Sequence, residues 1–209
     1  MEKEHSGVGD KKEWSNLVRR AYNATEDIEQ STAAAVALSE IGVYFDAARR
    51  QIERLRLCFE ASRKAAVMED RIDPDATEVA AVDAHFYFVS WHRIERMIHL
   101  LGTRGGSVAA RGVYTRHREL LLRHAEARHH ITHLEDRLPG RPKEKLVSPG
   151  DGTWMFGTIV PVLGLYRIGK ETYDLSTVGL ARLQEIVAEL QVEVSAELPD
   201  LEPSVEGNW

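Results

Sequence analysis

A single cysteine, Cys58, in 209 residues excludes an intrachain disulfide, so the chain must rely on a packed core rather than on covalent staples. Nowhere do about 18 apolar residues run uninterrupted, which argues against a membrane-spanning helix. The leading segment MEKEHSGVGDKKEW has no apolar stretch of the kind an export signal carries, and Cys58 sits in an apolar helical run. A reducing, cytoplasmic location is therefore expected. No repeat of roughly 20 to 50 residues is visible, which argues against a solenoid. Positive charge is also short: 27 Lys and Arg stand against 33 Asp and Glu, a formal net charge of −6. Binding nucleic acid by bulk charge is excluded, and only a local basic patch could do it. What remains, 43% hydrophobic and 29% charged residues, is the composition of a folded single domain.

Helical periodicity dominates. Leu38, Ile41, Phe45, Ala48, Ile52, Leu55 and Phe59 alternate in steps of three and four, which predicts one long helix over Ala33–Glu69. Trp14, Leu17, Val18, Ala21 and Tyr22 predict a short helix before it, in an N-terminal segment spanning 1–32. A second long helix has its start signal at Asp73 and Pro74 and its stop at Gly102, with Val79, Val82, Phe86, Ile94, Met97 and Leu101 as its buried stripe. His85, His92 and His99 recur every seven residues along it, and polar packing is their expected use. A third helix runs from Ser107 or Arg111 to Leu138, where Pro139 and Gly140 stop it. Its seam is Val113, His117, Leu120, His124, Ala127, Ile131, Leu134 and Leu138. The Pro- and Gly-rich stretch 139–152 reads as a loop. Thr153–Leu175 turns β-favouring and predicts a small hairpin, after which a last helix from Ser176 or Thr177 buries Leu180, Leu183, Ile186, Val187 and Leu190. The expected fold is mainly α: an up-and-down four-helix bundle over 33–198 with a small β-hairpin before its last helix, followed by an acidic tail at 199–209.

The overall acidity conceals a polarity. Between Arg104 and Lys145 there are ten Lys or Arg against five Asp or Glu, together with five of the nine histidines, whereas Glu171 to Trp209 holds nine acids and one base, Arg182. The third helix is the basic element, and Arg116, Arg123, Arg128 and Arg137 are the residues expected to line a path for RNA. The densest cluster is Glu126-Ala-Arg128-His129-His130-Ile-Thr-His133-Leu-Glu135-Asp136-Arg137. Two chemistries can be built on it. His129 and His133 share a helix face, and Glu126 with His129 forms a Glu-x-x-His pair of the kind used in bundle metal sites. That site needs a second such pair and a Glu on each of two other helices, and no second copy is found, so a His/Glu metal-binding bundle is the lesser alternative and neither metal nor cofactor is expected. Alternatively Arg128 holds a phosphodiester and His133 passes a proton near neutral pH. Five residues of helix turn their directions ~140° apart, so Arg reach or a partner chain would have to bring them together.

The run Ala127-Arg128-His129-His130-Ile131-Thr132-His133 resembles the R-x4-6-H motif of the HEPN superfamily (higher eukaryotes and prokaryotes nucleotide-binding), here with R-x4-H spacing late in the third long helix. The resemblance covers mainly Val79 to Leu198. It implies a metal-independent endoribonuclease in which Arg128 and His133 are the catalytic pair and His129 the orienting polar residue. It further implies a homodimer whose cleft lies between two copies of this helix, attack by the RNA 2′-hydroxyl on its own phosphate, and a role as a toxin or defence effector with an antitoxin or regulator as partner. The same superfamily holds non-catalytic ligand-binding and interaction modules, so the architecture leaves that alternative open.

Overall fold

The computed structural model of the chain describes residues 11–68, 74–132, 154–160, 163–169 and 171–200. The protein is mainly α. In order the elements are α1 (Lys11–Tyr22), α2 (Ile28–Val67), α3 (Pro74–Thr103), α4 (Val108–Thr132), β1 (Trp154–Val160), β2 (Leu165–Gly169), β3 (Glu171–Asp174) and α5 (Thr177–Glu197). The described residues pack as two compact units, drawn from Met1–Phe45, Arg93–Arg118 and Gln184–Trp209 in one and from Asp46–His92 and Glu119–Leu183 in the other.

In the first unit, the buried face of α1 (Trp14, Leu17, Ala21) joins Leu38, Ile41 and Phe45 of α2, Ile94, Ile98 and Leu101 of α3, Val113 of α4 and Ile186, Val187, Leu190 and Val194 of α5. α2 begins five residues earlier than its apolar periodicity predicts, because Asp27 caps it. The Asp27 side chain accepts the Gln30 amide at 3.1 Å and its carbonyl accepts the Ser31 amide at 2.9 Å. Two polar caps, one including the buried Ser107 and the other made by the buried Arg20, then fix the ends of α4 and α5. Ser107 accepts the Ala110 amide at 3.0 Å, and the Glu197 carboxylate accepts the Val108 and Ala109 amides and the Ser107 hydroxyl at 2.7, 3.1 and 2.6 Å, placing negative charge on the positive end of α4. Arg20, buried on α1, donates to the carbonyls of Ser195, Leu198 and Pro199 and to the Ser195 hydroxyl, which satisfies the last turn of α5.

Gly102 lies one residue before the end of α3 at Thr103. It is buried inside the last turn, where a Cβ would run into Arg111 of α4, and the turn that follows the helix passes through Gly105 and Gly106. Gly105 and Ser107 donate back to Leu100 and Leu101, and Gly106 adopts φ of 75°, a conformation that an L side chain resists. The start signal at Asp73 lies outside the described residues.

In the second unit the α2 stripe continues through Ala48, Ile52, Leu55 and Phe59, all buried as the periodicity predicts. α3 departs from its predicted face: Val79, Val82 and Phe86 are about half exposed, and Ala80, Asp83, Ala84, Tyr87, Phe88 and Trp91 are buried in their place. The reason is size. Tyr87, Phe88 and Trp91 remove far more apolar surface from water than three valine or phenylalanine steps on the neighbouring face, so the helix turns toward them. Asp83 tolerates the rotation because Arg54 of α2 pairs with it at 3.0 Å.

The predicted hairpin is the first half of a three-stranded antiparallel meander in the order β1-β2-β3. Val160 pairs with Leu165 and Tyr166 with Tyr173, and Gly164, at φ of 62°, accepts the Leu175 amide at 2.8 Å. Tyr166 and Tyr173 face Phe88 at 5.7 and 5.8 Å between ring centroids, which seats the sheet on α3. Among the described residues no helix is long and apolar enough to cross a membrane.

Candidate functional site

The sequence places its chemistry on α4, and the structure gives each described residue of that helix a distinct environment. Arg116 is exposed but paired: its guanidinium meets Glu189 at 2.6 Å and also Glu193, both on α5. Glu189 additionally meets His117 Nε2 at 2.6 Å. Burial works against the Glu189 carboxylate, but the His117 and Arg116 hydrogen bonds and charges outweigh it and hold its pKa below the ordinary value.

Two turns on from Arg116, Arg123 is exposed and donates to the Thr172 carbonyl of β3 at 3.0 Å. A carbonyl fixes the guanidinium without cancelling its charge. His124 points the other way, into the second unit. It is 4% exposed, lies flat on Trp91 with centroids 4.0 Å apart and planes 13° from parallel, and donates Nδ1–H to the Leu120 carbonyl at 3.0 Å. Its Nε2 is enclosed and finds no hydrogen-bond partner among the described residues. Burial pushes its pKa down to about 4, reinforced by the charges of Arg123 and Arg182 and resisted by the Leu120 hydrogen bond and Asp174. His124 is therefore a neutral core imidazole at pH 7.

Arg128 follows one turn after His124 and is half-buried, with Ala127 fully buried beside it. Its charge reaches His85 of α3, whose pKa is pushed down first by burial and second by Arg128. His129 lies on α4, but its side chain is outside the described residues, as are His133 and Arg137 altogether. The structure thus brings Arg123 and Arg128 into one compact unit with His85, and gives no geometry for the Arg128–His133 pair. Among the described residues no three His, Cys, Asp or Glu side chains gather as a metal site would require.

Of the histidine line on α3, His99 packs against the Tyr114 ring at 5.0 Å, and Tyr114 donates to Glu95 at 2.9 Å, so polar packing is what that member does. His85 is different, because it lies within the field of the arginine singled out by the sequence. Its heptad spacing carries no sign of this, since the spacing reports only a shared face of α3 and not what that face meets. Compared with family models, with curated proteins and with solved structures, the chain finds no match.

Proposed function

We propose that the chain is a HEPN-like, metal-independent endoribonuclease that acts as a homodimer in the cytoplasm, in a toxin or defence role held in check by an antitoxin or regulator. The observation that carries this reading is the placement of Arg128. It is a half-buried arginine late in the basic helix α4 of a mainly helical protein, at the head of an R-x4-H motif, and its charge is felt by His85 on α3. Partial burial strengthens a guanidinium's hold on a phosphate, because less water competes for the same hydrogen bonds. In this reading Arg128 binds the scissile phosphate, His133 moves a proton, His129 orients them, and Arg123 and Arg137, with a smaller part for Arg116, guide the strand.

The test is RNA incubated with the purified chain in excess EDTA. Cleavage with 2′,3′-cyclic phosphate ends, lost in Arg128→Ala and in His133→Ala, supports the proposal; RNA left intact by the wild-type chain refutes it. A second reading, a non-catalytic ligand-binding or interaction module of the same architecture, is favoured by one observation: the Arg116 guanidinium is already held by two carboxylates of its own chain. Intact RNA together with measurable RNA binding is the outcome that reading expects.

A further inference from the structure

In the first unit the last turns of α1, α3 and α5 meet the start of α2 and the turn into α4, and together they enclose a cavity of about 180 Å³. Its walls divide by depth. Ala21, Ala34, Leu38, Leu101 and Val194 make the floor, and none of them is more than 6% exposed. Thr25, Gln30 and Glu197 make the mouth, where Thr25 and Gln30 are half-buried and Glu197 is exposed. A dry apolar floor under a polar mouth selects a molecule built of the same two halves. An apolar cavity of ~150 Å³ is enough to hold benzene, so this one has room for a six-membered ring and a small substituent.

The mouth also selects against charge. The Glu197 carboxylate would repel an anion, and a cation would have to compete for it with the Val108 and Ala109 amides and the Ser107 hydroxyl, which already donate to it. Other polar groups at the rim are engaged. The Ser31 hydroxyl donates to the Ile28 carbonyl at 3.2 Å, Thr25 Oγ1 accepts the Asp27 amide at 3.2 Å, and Arg20 holds the Leu198 and Pro199 carbonyls.

Gln30 is held more loosely than these. Its Nε2 donates to the Gly105 carbonyl at 3.5 Å, the outer limit of a hydrogen bond. The amide reaches that place because Gly106 carries no side chain, since a Cβ there would collide with Gln30 Nε2. A carboxamide at the mouth offers one acceptor and two donors, and its best complement is a group that donates and accepts side by side.

We propose that this cavity binds a small uncharged molecule with a ring-sized apolar part and a carboxamide-like head. The ring lies against Leu38, Leu101 and Val194 and the head pairs with Gln30. Such a ligand ties the loop before α2, the turn into α4 and the end of α5 together, and so stabilises the folded chain in proportion to its occupancy. The site is independent of the RNA reading of α4.

The experiment titrates the full chain by NMR with benzamide, benzoate and benzylamine, which share a ring and differ in charge. Benzamide should saturably shift the Leu38, Leu101 and Val194 methyls and the Gln30 side-chain amide, with Kd on the order of 1 mM or tighter. Benzoate and benzylamine should bind at least ~tenfold more weakly. Ala34→Leu fills the cavity and should abolish the shifts, whereas Gln30→Leu keeps the cavity and should weaken benzamide by about tenfold while sparing toluene. No saturable shift in the folded wild-type chain, equal affinity for the three probes, benzamide binding that survives Ala34→Leu, or affinity for benzamide unaltered by Gln30→Leu overturns the proposal. Thermal unfolding checks that each variant folds, and the three-probe comparison on the wild-type chain is decisive if Ala34→Leu does not.

Discussion

The buried imidazole of His124 makes stability depend on pH in a way that can be isolated from every other titration. In the folded chain its pKa lies at about 4 against an ordinary 6.5, chiefly because the ring is enclosed against Trp91. Between those two values the unfolded chain binds a proton that the folded chain does not, so unfolding is favoured as pH falls through this window and stability rises as pH increases. The full effect is about 3 kcal/mol, reached below pH 4, and about 2 kcal/mol has already been lost at pH 5; above pH 7 the contribution is flat. Urea unfolding of the wild-type chain and of His124→Phe, at intervals from pH 7.5 to pH 4.5, measures it as the difference between the two. Phenylalanine keeps the stack on Trp91 and loses the Leu120 hydrogen bond, so it should be the less stable protein at pH 7.5. The gap should then close or reverse by about 2 kcal/mol on going to pH 5. His85, also depressed, titrates in both proteins and cancels in the difference. A gap that stays constant with pH would mean that His124 is not enclosed as described.

Arg20→Ala removes a buried guanidinium that satisfies three carbonyls at the end of α5, and unfolding in urea should register a loss of about 3 kcal/mol; a change under ~0.5 kcal/mol would show that water replaces it without cost. RNA affinity should fall with salt, and Arg123→Gln should reduce the log–log slope by ~0.7, while Arg50→Gln or Arg63→Gln on α2 leaves it unaltered. Equal effects at both sets would mean diffuse attraction rather than a path along α4. Light scattering should find a dimer, and a lone species of the 209-residue chain's own mass at working concentration would dispose of a cleft shared between two copies of α4.

Much of the architecture is readable in the sequence because it follows from periodicity and from chain breakers. The seven-residue stripe of α2 is buried throughout, Ser176 caps α5 where expected by accepting the Val178 amide, and the sheet lies between the Gly- and Pro-rich stretch and the last helix. The face of α3 is not readable, for a specific reason. Val79, Val82 and Phe86 satisfy helical spacing as well as Ala80, Tyr87 and Trp91 do, and spacing carries no information about which set meets the larger cavity. The start of α2 is hidden because Thr25 to Thr32 is polar, yet polar residues are what a capped first turn contains. At the site, the arginines are legible as charge but their partners are not. Glu189 and Glu193 lie more than seventy residues from Arg116, and no local pattern connects them.

Those distant partners change what the charge polarity means. In the sequence, the basic stretch from Arg104 and the acidic stretch from Glu171 resemble a positive surface for RNA beside an unrelated acidic tail. In the first unit they are instead two sides of one set of contacts: Arg116 and His117 on Glu189, Arg116 on Glu193, and the start of α4 on Glu197. Positive charge neutralised in this way attracts phosphate only weakly, because a binding strand would have to displace a carboxylate already in place. Arg123 is held by a carbonyl and keeps its full charge, so the same α4 that is electrostatically quiet at Arg116 offers an uncancelled positive charge at Arg123. Arg116→Gln should therefore alter the salt slope less than Arg123→Gln does, even though both arginines are exposed on one helix and two turns apart. The comparison holds total charge and helix propensity fixed and varies only the partner, and an equal effect of the two substitutions would show that the α5 carboxylates do not shield Arg116 from a bound strand.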